Sequence, residues 1–344
     1  MKRSLFMFLG LAFAMLASDA ARSQTQLNGA GATFPNVIYS KWFDVYSQKN
    51  GIHFNYQSIG SGGGIKQVTE GTVDFGASDA FLSEDQMKEI KDKRGTEVIH
   101  IPTVMGAVVV TYNLPAAGTD LKMTPEVLAG IYLGEITKWN DEKISSINPG
   151  KTLPDQAILV AHRSDGSGTT NIFTDYLAKV SKTWADKVGK GPSVNWPVGL
   201  GGKGNEGVAG TVKQSEGAVG YVELAYAVKN GLPYAALRNK AGKYVNPSFE
   251  SVSAAAAGAA KNMPSDLRVM LTDADGKDSY PISGFTWLLI YKDMKDKTKA
   301  KEIVKFLKWA MVDGQSYAKD LYYAPLPGPV AKLCEKKIAT IIVK

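Results

Sequence analysis

Residues 160–177, VAHRSDGSGTTNIFTDYL, pack an arginine, an aspartate and a cluster of hydroxyls around a glycine-rich turn. Two chemistries fit such a turn. A nucleophile elbow would raise Ser167 to attack a substrate, whereas an anion cradle would hold an oxyanion and leave it unchanged. Spacing argues against the first, because neither Ser167 nor Ser61 has glycine at both second-neighbour positions, as G-x-S-x-G requires. GLGGKGN (199–205) lacks the P-loop spacing, and GAGATF lacks the third glycine of a dinucleotide fingerprint. The three histidines, His53, His100 and His162, are scattered without metal-ligand spacing. No metal site, cofactor, catalytic base or nucleophile is nominated.

The cradle has a physical basis. AILVAHR (157–163) reads as a strand, SDGSG as the turn, and TTNIFTDYLAKV (169–180) as a helix with Ile172, Phe173, Tyr176, Leu177 and Val180 at helical spacing. Backbone N–H groups near Ser167 to Thr170 then lie at a helix start, where orphan donors and the helix dipole favour negative charge. Ser167 and Thr169 add hydroxyls, Arg163 offers a two-pronged guanidinium, and Asp165 is placed to orient it. The plainer alternative is that Ser167 or Thr169 only caps the helix and Asp165 only shapes the turn. Two further loops repeat the pattern. NGAGATFP (28–35) brings Thr33 and Phe34 to a helix start at Pro35, with Ile38, Trp42 and Val45 on its apolar face; IGSGGGIK (59–66) brings Ser61 to another.

Positioning these loops requires strands that feed helices. GIHFNYQSIG (51–60) alternates Ile52, Phe54 and Tyr56 as a strand does, and TVDFGASDA (72–80) is a short second strand. Ser83 and Gln86 make a capping box, VIHIPTVMGAVVVTYNL (98–114) reads as one long buried strand or a strand pair, and TPEVLAGIYLG (124–134) and SAAAAGAAKN (253–262) read as helices. This alternation predicts an α/β architecture with mostly parallel sheets, whose ligands bind beyond the strands' carboxyl ends. At 344 residues the chain exceeds what one core usually organises, roughly 250–300 residues, so two lobes are expected.

The first 23 residues read as a secretory signal peptide: Lys2 and Arg3, then an apolar run from Leu5 to Leu16, then small residues with a cut after Ala20 or Ser23. Export is therefore expected. A cut after Ser23 removes three positive charges (Lys2, Arg3, Arg22) and one negative (Asp19), taking the net charge from +7 to +5. The surplus lysines are dispersed without interleaved aromatics, so nucleic acid is not expected as a partner. The single cysteine, Cys334, excludes a disulfide-held fold and reads as a thiol on a C-terminal helix.

GAGATFP, GSGGG, VDFGASDA, DGSGT and GLGGKGN, in this order over essentially the whole mature chain, resemble the periplasmic phosphate-binding proteins of bacterial phosphate ABC transporters. The resemblance implies the type II periplasmic-binding-protein fold, two α/β lobes joined by a two-crossover hinge with phosphate between them. Lobe 1 would comprise 24–108 plus 286–344 and lobe 2 109–285. It implies a monomeric periplasmic protein that performs no catalysis, needs no cofactor, binds inorganic phosphate and docks on membrane permease subunits. The phosphate ligands carry over as Thr33, Phe34, Ser61, Asp79, Arg163, Ser167, Gly168 and Thr169, with Asp165 paired to Arg163, and with Phe34 and Gly168 donating backbone N–H. His162 stands where an arginine is common and Gly62 where a second serine is common, and PISGFTWLLI (281–290) matches more loosely.

Asp79 gives the expected selectivity. A carboxylate in an anion site makes sense when the ligand has a hydrogen to donate, as phosphate does near neutral pH and sulfate does not. The alternative for Asp79 is a cap on the helix that follows, a place Ser83 fills better. Competing functions are a binder of another tetrahedral oxyanion, such as sulfate or molybdate, and a secreted phosphatase using Ser167 or Ser61.

Overall fold

A computed structural model describes residues 25–261 and 263–343. The expected signal peptide lies outside the described residues. Eleven strands are found among those described: β1 Gln26–Gly31, β2 His53–Ser58, β3 Phe75–Ser78, β4 Val98–Tyr112, β5 Lys122–Met123, β6 Leu159–Arg163, β7 Leu200–Gly202, β8 Ala218–Glu223, β9 Ala236–Arg238, β10 Tyr244–Val245 and β11 Ser283–Tyr291. Eight of them form one sheet in the order β2-β1-β3-β11-β4-β8-β6-β7, and β10-β9-β5 form a small second sheet.

The large sheet is parallel only on its flanks. On one side β1 pairs in parallel with β2 and β3, and on the other β6 pairs in parallel with β7 and β8. The two middle strands, β4 and β11, run antiparallel to their neighbours. They differ because they carry the chain between flanks. The expected strand or strand pair at 98–114 is a single fifteen-residue strand, buried throughout. It pairs with β11 through Ala107 and with β8 from Val108 onward. Helices cover both sides of such a sheet, which accounts for its unbroken apolar run rather than an alternating one.

Each flank carries its own aromatic core. Near β2, Phe43 stacks on Phe54 at 4.5 Å between ring centroids, and Phe54 lies 4.8 Å from Phe306 of the helix Lys297–Met311. Near β6, Phe173 stacks on Tyr221 at 4.3 Å. The helix Asn36–Asn50 buries Ile38, Tyr39, Trp42, Phe43 and Tyr46, a wider stripe than expected, while Val45 is only half-buried. The helix Lys297–Met311 supplies the second covering layer that widens it, Phe306 meeting both Phe43 and Tyr46.

The helix Ser61–Glu70 lies directly on strand backbone. A Cβ at Gly64 would come within 2.5 Å of Gly31 Cα and 2.6 Å of the Ala30 carbonyl oxygen. The glycine run after Ser61 is thus a packing requirement as well as a loop.

Candidate functional site

The three loops read as anion cradles converge where the two flanks of the sheet meet. Ser167 sits at the start of the helix Gly168–Val180 and caps it, its Oγ accepting the Thr170 N–H at 3.0 Å. The plainer reading of Ser167 is therefore correct as far as it goes, although its own hydrogen stays available. The helix is held down by Ile172, Phe173, Tyr176 and Leu177, all buried, so its first turn is a fixed platform.

Arg163 ends β6 and its side chain is 1% exposed. Its Nε donates to Asp165 Oδ1 at 2.8 Å and one terminal nitrogen to Oδ2 at 2.5 Å, a two-pronged pair; the other terminal nitrogen reaches Thr169 Oγ1 at 3.4 Å. Among the described residues, three of the five guanidinium hydrogens are thereby committed. The other two remain to meet an oxyanion. Burial works to raise the Asp165 carboxyl, but hydrogen bonding and charge from Arg163 outweigh it and hold Asp165 below the ordinary carboxylate range. Asp165 also accepts the Gly204 N–H at 3.0 Å.

From the opposite flank, Ser61 Oγ accepts the backbone N–H of Asp79 at 3.2 Å and of Gly168 at 3.1 Å. Gly168 N–H, expected to face the ligand, is thus engaged by Ser61 across the junction. Gly168 can only be glycine here, because a Cβ would stand 2.5 Å from Asp79 Oδ2 and 2.6 Å from Ser61 Oγ. Thr33 is buried, and its Oγ1 accepts from Asn205 Nδ2 at 2.7 Å. Phe34 packs its ring against Gly106 and edge-on to Tyr323, whose hydroxyl donates to the Phe34 carbonyl at 2.6 Å.

Asp79 follows β3 and is 1% exposed. It caps no helix: Ser83 accepts from the Gln86 N–H and Gln86 reciprocates, as the sequence predicts. Asp79 Oδ1 accepts from Thr286 Oγ1 at 2.7 Å. Burial pushes its carboxyl up to about 7, against the opposing pull of Thr286, Arg163 and Ser61. Near neutral pH the carboxyl therefore alternates between acceptor and donor, where sequence reasoning treated it as an acceptor alone.

Four residues of this network escaped the sequence. Thr286 on β11 meets Asp79; Asn205, at the start of the helix Gly204–Gln214, joins Thr33 to Thr169. The Tyr226 hydroxyl donates to the Thr33 carbonyl at 2.6 Å, and the Tyr221 hydroxyl accepts the Arg163 N–H at 3.1 Å. Asn205, the last residue of GLGGKGN, and Thr286, within the looser match PISGFTWLLI, lay in quoted stretches, whereas the two tyrosines carried no signal. The histidines stand apart. His53 is exposed, His162 stacks on Trp196 at 4.8 Å, and buried His100 accepts the Leu82 N–H with burial holding it down to about 3. Cys334 is buried on the helix Gly328–Ile338.

Residues 17–313 match the PBP superfamily domain. The chain is 45% identical over 326 residues to the phosphate-binding protein PstS of Pasteurella multocida, covering 94% of this chain and 92% of that protein. It is 42% identical over 327 residues to PstS of Methanocaldococcus jannaschii, covering 88% and 83%. Among solved structures, a high-affinity periplasmic phosphate-binding protein bound with phosphate superposes with a TM-score of 0.69 at 23% identity, covering 90% of this chain and 92% of that one. A phosphate-binding protein from Stenotrophomonas maltophilia gives 0.67 at 20% identity, covering 91% and 93%. At these identities the structures speak to the fold, which is the type II periplasmic-binding-protein fold expected from the motifs. The chain belongs to the PstS family of phosphate-binding proteins.

Proposed function

We propose that the protein binds inorganic phosphate in the periplasm as a monomer and delivers it, chemically unchanged, to the permease subunits of an ABC transporter for import. The relatives' names carry the ligand, and the local geometry fits it. The ligand set is Thr33, Phe34, Ser61, Asp79, Arg163, Ser167, Gly168 and Thr169, with Asp165 holding Arg163. The observation that carries the reading is one buried carboxyl, Asp79, among hydroxyls and an arginine with free hydrogens. Such a set accepts one hydrogen from its guest and donates to the remaining oxygens.

The lobes are 24–108 plus 286–344, and 109–285. The partner exchange of β4 between Ala107 and Val108 supports the outward boundary, whereas β11 already pairs with the first-flank part of β4 from Ser283. Binding would favour the conformation in which donors of both lobes surround the ligand.

Titration calorimetry with phosphate and sulfate tests the reading. Wild type is expected to reject sulfate by roughly four to five decades, and Asp79→Asn to lose roughly two of those decades or more. Equal wild-type affinities for both anions would overturn it. Turnover of a phosphate ester, abolished by Ser167→Ala, would favour a phosphatase instead.

A further inference from the structure

We propose that Asn205 is a positioning residue that forces the hydroxyls of Thr33 and Thr169 to act as donors, and so limits where the bound anion's hydrogens can sit. The inference rests on the phosphate-binding reading and deepens it.

The argument begins with the amide's orientation. Asn205 is fully buried, and its Oδ1 accepts the backbone N–H of Glu223 at 2.9 Å. Turning the amide over would set two donors against each other there, so Nδ2 must face the other way. Its two hydrogens then go to Thr33 Oγ1 at 2.7 Å and Thr169 Oγ1 at 3.2 Å.

A hydroxyl has two lone pairs and one hydrogen. Thr33 Oγ1 also receives the backbone N–H of Asn205 at 3.3 Å, so both its lone pairs are taken. Thr169 Oγ1 also receives Arg163 at 3.4 Å, and both of its lone pairs are taken too. What each threonine can still do is give away its own hydrogen. Ser61 reaches the same condition without Asn205, because the N–H groups of Asp79 and Gly168 fill its oxygen. A threonine hydroxyl left to itself would serve a ligand as donor or acceptor alike. Beside Asn205 it has no choice.

The consequence is a count. Three hydroxyls, those of Thr33, Thr169 and Ser61, can only donate, whereas Asp79 and Ser167, whose oxygen keeps one lone pair beyond the Thr170 N–H, can accept. A tetrahedral oxyanion with one protonated oxygen turned to Asp79 satisfies every group. A protonated oxygen turned to Thr33 or Thr169 instead would set hydrogen against hydrogen. Asn205 thereby limits where the anion's hydrogens can sit without needing to touch the ligand.

The test is calorimetry with inorganic phosphate on wild type and Asn205→Ala, each also in a Thr33→Val, Thr169→Val background, at pH 5.5 and 8.5. Circular dichroism and thermal melting report folding, and Asn205→Ser carries the same comparison if the alanine variant does not fold. With the threonines present, loss of Asn205 is expected to weaken binding roughly ten- to a hundredfold at pH 8.5, the size of a misdirected hydrogen bond to a charged group. The loss is expected to shrink at pH 5.5, where the more protonated ligand can use the freed hydroxyls as acceptors. In the valine background the substitution is expected to cost little more. An equal loss in both backgrounds, or one independent of pH, would overturn the role of Asn205 and leave the phosphate reading standing. Failure of wild type to bind phosphate would instead overturn the reading beneath it.

Discussion

Asp79 couples the site to pH through stability as well as recognition. Its carboxyl titrates near 7 in the fold against an ordinary value of 3.8, because burial disfavours the anion more than Thr286, Arg163 and Ser61 favour it. The folded state thus holds a proton that the unfolded state gives up between about pH 4 and 7. Linkage then requires this group's contribution to be fully present below pH 4 and lost as pH rises through 7. Asp79→Asn removes that dependence. Without ligand, the variant is expected to gain stability over wild type as pH rises from 5 to 8, by up to about 1.4 kcal/mol per unit across the window. Urea denaturation of both proteins at the two pH values measures it, and a gap that stays constant would show that Asp79 ionises freely.

At the scale of elements, the helix Ser61–Glu70 is pressed so close to β1 and β3 that a methyl group at Gly64 has no room. Gly64→Ala is expected to lift the helix and displace Ser61 with it, lowering stability by about 1–3 kcal/mol, the usual cost of overpacking, and lowering the melting temperature. Local signals of this kind were legible in the sequence. The Ser83–Gln86 capping box, the Thr124 cap and the helix after Ser167 all lie where chain-neighbour chemistry puts them. The run of β-branched residues in β4 revealed a buried strand. It could not reveal that one strand serves both flanks, because pairing with β11 and β8 depends on segments far along the chain. The same limit explains the site. Thr33, Ser61, Arg163 and Thr169 announce themselves through loop composition and motif. Thr286, Tyr221 and Tyr226 look like ordinary strand and helix residues until folding brings them to Asp79, Arg163 and Thr33.

For the whole molecule, closure runs through the contacts between the two flanks. Across the junction the Gly62 N–H donates to the Gly166 carbonyl at 2.9 Å, Gly168 reaches Ser61, and Tyr226 reaches Thr33. A Cβ at Gly62 would lie 3.1 Å from Gly166 Cα, so with glycine here the two loops meet backbone to backbone. Gly62→Val is expected to wedge them apart, weakening phosphate binding roughly tenfold or more, about 1.4 kcal/mol per decade. Small-angle scattering should then show less contraction on adding phosphate than in wild type, while the ligand-free melting temperature stays unchanged. Wild-type contraction in the variant would mean that closure does not run through this contact. The placement of β11 between β3 and β4 also governs timing. Trp287 pairs with Ser78, so the half of the sheet synthesised first keeps an open edge until nearly the last sixth of the polypeptide arrives. Long-range pairing of this kind is slow to form. Thr286 comes with the same strand, so the carboxyl at the heart of the pocket gains its partner only when the molecule is almost finished.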